Sequence, residues 1–264
     1  MRFFPLAGLA TIAVLVLLKS GVAAEAAEIT IRSTPTLKTT LEELVPAFER
    51  ATGHKLVTAF ASAATLKQRI QEGERVDVAI LLPPLIDELI NQGKLIAGTR
   101  VDVSRSAVGV AIRAGATKPD VSSVAAVKQT LTDANAISYA KDSASSQYLI
   151  GLIDRLGIAA EVKPKLKAVP GGEVVEAVAD GAAEVTVITI PNIIGVRGVE
   201  LAGQLPAELQ NYTVFSAGIG ADARDRAAAN AFIEFLMSPT ATQVLAAKGM
   251  ERIPSSPNSP GPRR

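Results

Sequence analysis

Residues 28–53 read EITIRSTPTLKTTLEELVPAFERATG, and this stretch decides the fold class. Ile29–Ile31 is a short apolar strand that runs into a polar loop, Arg32-Ser33-Thr34-Pro35-Thr36. Leu37, Leu41, Leu44, Val45 and Phe48 then recur at three- and four-residue spacing, so a helix with one apolar face follows and stops near Gly53. Strand, hydroxyl-rich loop and helix form one unit.

The unit returns along the chain. Lys55–Phe60 is a second strand, leading through Ala61-Ser62-Ala63-Ala64-Thr65 into a helix that carries Leu66 and Ile70 and stops at Gly73. Val76–Leu82 is a continuous apolar run, expected of a parallel strand buried on both faces. Pro83 and Pro84 are expected to break it before a helix over Leu85–Gln92. Ala107–Arg113 reads as a fourth strand, Ser122–Leu131 as a helix, and Ala136–Ala140 as a strand entering the loop Lys141-Asp142-Ser143-Ala144-Ser145-Ser146. A helix with Tyr148, Leu149, Leu152, Ile153 and Leu156 follows, ended by Gly157. Leu166–Val169, a Gly171-Gly172 loop, a Glu173–Ala179 helix and strand Glu184–Ile190 repeat the theme. Tyr212–Ile219 is a long strand, and Asp222–Met237 and Pro239–Lys248 are helices. The tail Pro254–Arg264 is rich in Pro and Ser without apolar period and is expected to be disordered. Alternating strands and helices predict an α/β protein with parallel sheets.

Composition removes most conventional catalysis. The 264 residues contain no Cys and one His, which excludes disulfides, thiolate chemistry and a multi-histidine metal site. Basic and acidic side chains number 27 and 26, so there is no electrostatic reason to expect nucleic acid as partner. With 4% aromatics and no Trp, a sugar- or base-stacking platform is disfavoured. Residues 1–27 begin with Arg2, continue through the apolar stretch Phe3–Leu18 and end in small residues, the pattern of a cleavable secretory signal. Cleavage after Ala24, Ala26 or Ala27 fits, and a cut after Ala27 leaves 25 basic and 25 acidic groups. An exported, cysteine-free globular chain is expected in a Gram-negative periplasm.

Three strands thus end in hydroxyl-rich loops that open helices: Ser33–Thr36, Ser62–Thr65 and Asp142–Ser146. Open α/β sheets bind ligands at the carboxyl ends of their strands. Each helix start presents unpaired N–H groups at its positive end, and added hydroxyl donors make a site for a small anion. Ser, Thr and Asp are equally the preferred helix caps, so each loop also has a purely structural reading. Arg32 stands beside the first loop, either as a bidentate clamp for a carboxylate or as a cation facing water. His54 reads as a solvated surface residue rather than a catalyst, Asp77 as a strand residue that local hydrogen bonding explains as well as function does, and Gly218-Ile219-Gly220 as a turn rather than a dinucleotide loop.

At these loops the sequence resembles the periplasmic molybdate-binding proteins of ABC importers, in a divergent branch of general solute-binding proteins that also includes aconitate isomerase-like proteins. The matching stretches are residues 29–56, AFASAATLKQRIQEGERVDVAILL (59–82), residues 136–166 and 169–190, and FIEFLMSPTATQVLAAKGMERI (232–253). The resemblance implies a two-lobed periplasmic-binding-protein fold of type II, each lobe a mostly parallel sheet flanked by helices. Residues 28–104 plus 211–253 would form lobe 1 and residues 105–210 lobe 2, with a ligand enclosed between them. It implies a small anionic ligand, a membrane permease as partner, a monomer, and no cofactor or resident metal.

Carried over by position, the family's first pocket serine falls on Thr36, its second on Ala63 beside Ser62, and its pocket tyrosine near Thr189. Ala63 has lost a side-chain donor; a buried hydrogen bond to a charged acceptor is worth about 1.5–3 kcal/mol. The expected ligand contacts are Ser33, Thr34, Thr36, Ser62, Ala63, Thr65, Ser143, Ser145 and Thr189, with Arg32 as carboxylate clamp and no catalytic residue. In the alternative, an isomerase moving a proton within a polycarboxylate, the candidate bases are Asp142, Glu173, Tyr148 and His54.

Overall fold

The computed structural model describes residues 26–141, 144–170 and 172–253. Almost all of the expected export signal, the expected disordered tail, Asp142 and Ser143 lie outside the described residues.

The first half follows the strand–loop–helix reading closely. β1 (Glu28–Ser33) leads through a single 3-10 turn, Pro35–Leu37, into α1 (Lys38–Thr52). β2 (Lys55–Phe60) leads into α2 (Ala63–Gln71), and β3 (Val78–Leu81) into α3 (Pro83–Asn91). Pro83 and Pro84 begin α3 rather than precede it: the first helical positions need no N–H donor, and the fixed proline φ suits them. β4 (Val101–Ser106) and β5 (Val108–Arg113) follow, then α4 (Val124–Asp133), β6 (Ile137–Tyr139) and α5 (Ala144–Arg155). Next come α6 (Ala159–Val162), β7 (Leu166–Ala168), α7 (Glu176–Ala179), β8 (Val185–Thr189) and β9 (Val199–Gln204). β10 (Thr213–Ile219), α8 (Arg226–Leu236), α9 (Pro239–Ala247) and β11 (Met250–Glu251) close the chain.

The strands form two sheets, each covered by helices, so the molecule is a two-lobed α/β protein. The first has six strands in the order β11-β4-β10-β3-β1-β2, the second five in the order β7-β6-β8-β5-β9. The parallel strands expected in each lobe are joined by antiparallel ones. β1 pairs in parallel with β2 and β3, and β6 with β7 and β8, but β10 runs antiparallel to β3 and β4, and β5 antiparallel to β8 and β9. The antiparallel members are the connecting strands. β4 and β5 carry the chain from one sheet to the other with Ala107 between them, and residues 205–212 carry it back to β10.

Both faces of each sheet are buried, as βα layering requires. On one face of the first sheet Ile29, Ile31, Leu41, Leu44, Phe48 and Phe232 form a single cluster, with the Phe48 and Phe232 rings edge to face at 5.2 Å. Leu66, Ile70, Leu81, Ile86 and Leu89 cover the other. The second sheet packs Val110, Val127, Leu149, Leu152 and Val187 on one side and Ala111, Val175, Ile188 and Ile193 on the other. Each fully buried Leu, Ile, Val or Phe contributes about 1.5–3 kcal/mol.

The connections between the sheets are tied by side chains. Gln210 acts as a substitute strand partner: its Oε1 accepts the Val108 N–H at 2.7 Å, and its Nε2 donates to the Leu205 carbonyl at 3.0 Å. Arg105 pairs with Glu251 at 2.8 Å while its guanidinium stacks 4.0 Å over the Tyr212 ring. Gly218-Ile219-Gly220 is not the expected turn: Gly218 and Ile219 are strand residues, and Gly220 bridges to Leu95. A Cβ on Gly220 would fall 1.8 Å from the Val76 carbonyl oxygen, so glycine is required by close backbone approach.

Candidate functional site

A cavity of about 640 Å³ lies between the two sheets, at the carboxyl ends of β1, β6 and β8. The first-sheet side contributes Thr36 and Thr39 from the entry to α1, and Lys248 just beyond α9. The second-sheet side contributes Ser145, from the first turn of α5, with Glu176 and Asn192. Val174, Val175, Ile188, Ile194 and Val196 supply an apolar wall.

The first hydroxyl loop differs from an ordinary helix cap. The side chains of Thr34 before the 3-10 turn and Leu37 before α1 make no capping hydrogen bond. Ser33 and Thr34 are buried, yet their hydroxyls have no partner, and neither has that of Thr40 one turn into the helix. Buried hydroxyls are nearly always paired, so unpaired ones beside a cavity are donors in reserve.

The second loop is self-satisfied. Ser62 Oγ accepts the Thr65 N–H at 3.1 Å and lies 2.8 Å from Thr65 Oγ1, which is ordinary N-capping of α2. Ser62, Ala63 and Thr65 are not among the residues lining the cavity. In the third loop, Ser145 reaches the cavity, Ser146 Oγ accepts the Ala140 N–H at 2.9 Å, and Ser143 lies outside the described residues. Thr189 sits at the end of β8 and accepts a hydrogen bond from Asn192 Nδ2 at 2.9 Å, so Asn192 rather than Thr189 faces the cavity.

The structure brings together Thr36 and Ser145 from opposite sheets; Ser33 and Thr34 precede Thr36 in the chain but do not themselves line the cavity. Arg32 is placed elsewhere: its Nε bonds Glu74 Oε1 at 2.5 Å, and its side chain is only 16% exposed. The expectation for His54 is corrected. It is buried, its Nδ1 accepts the Ala27 N–H at 3.1 Å, and its ring stacks 6.2 Å from Phe48. The Tyr148 hydroxyl donates to the Leu209 carbonyl, and burial raises its pKa, which makes it a poor base near neutrality. Asp77 is a structural tie: Oδ2 accepts from the Thr30 N–H and hydroxyl at 2.7 Å, and Oδ1 accepts the Arg224 N–H at 2.8 Å.

Sequence reasoning missed Thr39, Glu176, Asn192 and Lys248. Thr39 lies one helical turn beyond Thr36 and was within reach of periodicity. Lys248 was not, because nothing local says that the end of α9 returns to the mouth of the first loop. There it pairs with Glu43 of α1 at 2.8 Å.

Comparison with known proteins agrees with this geometry. The family of bacterial extracellular solute-binding proteins matches residues 29–251, from β1 to β11. This chain belongs to that family. Among relatives, it is 30% identical to an aconitate isomerase from a Pseudomonas species over 87% of this chain and 89% of that one. It is 27% identical to a molybdate-binding protein from Azotobacter vinelandii over 86% and 91%. Among solved structures, the substrate-binding domain assigned to a molybdenum ABC transporter from Clostridium difficile superposes with a TM-score of 0.76 at 18% identity. That match covers 87% of this chain and all of the other. A shared fold at this identity speaks to architecture alone.

Proposed function

We propose that this solute-binding protein is exported to the periplasm by residues 1–27, holds one small anion in the cleft between its lobes, and presents it to an ABC-type permease as a monomer. The lobes are the expected residues 28–104 plus 211–253 and residues 105–210, with the first boundary moved to Ala107 so that β4 stays whole in lobe 1, and the chain returning through 205–212. The carrying observation is Thr36, at a helix entry without a side-chain cap, sharing the cavity with Ser145 of the other sheet, while the preceding Ser33 and Thr34 hydroxyls are buried and unpaired. Oriented N–H and O–H dipoles hold an anion without a resident metal or cofactor. A ligand that touches both lobes favours the closed form by its differential affinity.

A panel of molybdate, tungstate, sulfate and phosphate against citrate, cis- and trans-aconitate and dicarboxylates tests the reading by thermal shift. An anion at 100 times its Kd adds about 2.7 kcal/mol, a rise of roughly 5–10 °C for a chain of this size. No shift with any anion refutes it.

A second reading is favoured by the 30% identity to an aconitate isomerase: the cleft moves a proton within a polycarboxylate. Proton transfer needs a positioned base, and Glu176 is the carboxylate among the described residues lining the cavity. Turnover of cis- into trans-aconitate followed by NMR, abolished in Glu176→Gln, separates an isomerase from a carrier.

A further inference from the structure

We infer that the cleft selects an organic carboxylate with a hydrocarbon body over a bare tetrahedral oxyanion, and that Lys248 is the cation that recognises it. This narrows the anion-binding reading and rests on it. An oxyanion stripped of water and held by dipoles alone needs donors on every side. Here the second sheet's side adds only Ser145 and Asn192 to the side-chain donors, and Asn192 Nδ2 is already bonded to Thr189 Oγ1. Thr36 and Thr39 come from the first sheet, and the second hydroxyl pair, Ser62 and Thr65, is engaged with itself. The facing wall is Val174, Val175 and Ile188, all buried, extended by Ile194 and Val196. Between Ser145 and Asn192, this apolar part of the lining offers no donor to a compact ion but matches the methylene groups of an organic acid. The volume of about 640 Å³ is in the range of sites for whole small organic molecules.

Charge points the same way. Lys248 is the one basic side chain among the described residues lining the cavity. Its ammonium has three N–H donors, and Glu43 Oε2 at 2.8 Å takes one of them. Two donors remain for a ligand carboxylate, and the side chain keeps 29% of its surface open. Glu176 stands on the opposite sheet's share of the lining. A symmetric dianion would meet that carboxylate whichever way it turned. An asymmetric acid can put its carboxylate on Lys248 and a hydroxyl or carbon face toward Glu176.

The test is titration calorimetry of the purified protein with malate, cis-aconitate and succinate, and with molybdate and sulfate. It compares wild type with Lys248→Met, Lys248→Arg and Glu43→Gln. Wild type should bind at least one carboxylate more tightly than either oxyanion. Lys248→Met should weaken that carboxylate by tenfold or more, Lys248→Arg should recover most of the loss, and Glu43→Gln should leave affinity unchanged or raised. Equal losses in Lys248→Met and Glu43→Gln would mean that the ion pair merely braces α1 against α9, and would overturn the role of Lys248. Heat with oxyanions alone would overturn the inference while leaving the anion reading intact. Silence with every anion would overturn both.

Discussion

At Gly249 the two lobes come into close contact, and Gly249→Ala measures that contact. It follows α9 with φ +73°, a conformation an L-residue adopts at a cost of about 1–2 kcal/mol. An added Cβ would lie 2.5 Å from Ile190 Cγ2 and 3.2 Å from Ile194 Cγ1, both beyond β8 in the second lobe. Ile190 is buried, so it has little room to yield, and overpacking of this kind costs about 1–3 kcal/mol. The two terms together predict a loss of roughly 2–5 kcal/mol in urea unfolding. They are separable by a double-mutant cycle with Ile190→Ala, which removes the offending Cγ2 but leaves the backbone cost. The alanine at 249 should then be less harmful by about 1–2 kcal/mol than in the wild-type background. Small-angle scattering supplies the second readout, since lobes forced apart raise the radius of gyration. A loss below about 1 kcal/mol, or strict additivity with Ile190→Ala, would refute the contact as described.

Four further outcomes are expected. Gln210→Ala strands the Val108 N–H and the Leu205 carbonyl at the lobe connection and should cost about 2–4 kcal/mol in denaturant unfolding. Asp77→Ala removes the acceptor of the Thr30 and Arg224 amides; it should cost about 3–5 kcal/mol and speed hydrogen exchange at both amides. Ser62→Ala should lower stability by about 1 kcal/mol as a lost cap while leaving anion affinity unchanged in calorimetry. Acid should destabilise the fold through carboxylates held below their ordinary range. Glu49 is lowered by Lys55 and then the Leu56 N–H, Asp120 by the Ser122 N–H, and Glu184 by the Asn135 side chain and then its N–H. The folded state binds these protons less readily than the unfolded chain. The stabilisation is therefore complete above the unfolded value of about 4 and fades as pH falls through the folded values. Melting temperature should be flat in this respect from pH 8 to 5 and decline below about 4, less steeply in Glu184→Gln.

Legibility in the sequence followed the range of the interaction. β1, β2, α1 and α2 were readable because apolar period and stop signals are local. β4, Val101–Ser106, was not: Asp102, Ser104 and Arg105 break the apolar run, and their partners lie far along the chain. Ser216 bonds Asp102 at 2.5 Å, and Glu251 pairs with Arg105 at 2.8 Å. β9, Val199–Gln204, was hidden in the same way, its half-buried residues becoming a strand only against β5. The antiparallel insertion of β10 between β3 and β4 depends on a chain return that no local pattern encodes.

The candidate site divides along the same line. Local chemistry picked out three loops whose hydroxyls suit either an anion or a helix cap, because Ser and Thr serve both with the same atoms. The fold then assigned the loops differently. Ser62 and Thr65 satisfy each other, Ser33 and Thr34 are buried with no partner, and Ser145 is carried across to face Thr36. Sequence by itself therefore determined the class of fold, the absence of thiol and multi-histidine chemistry, and the set of loops from which a site could be drawn. Tertiary structure alone decided that Lys248, Glu176 and Asn192 join that site, since residues distant in sequence share a cavity only when both sheets are built and set against each other.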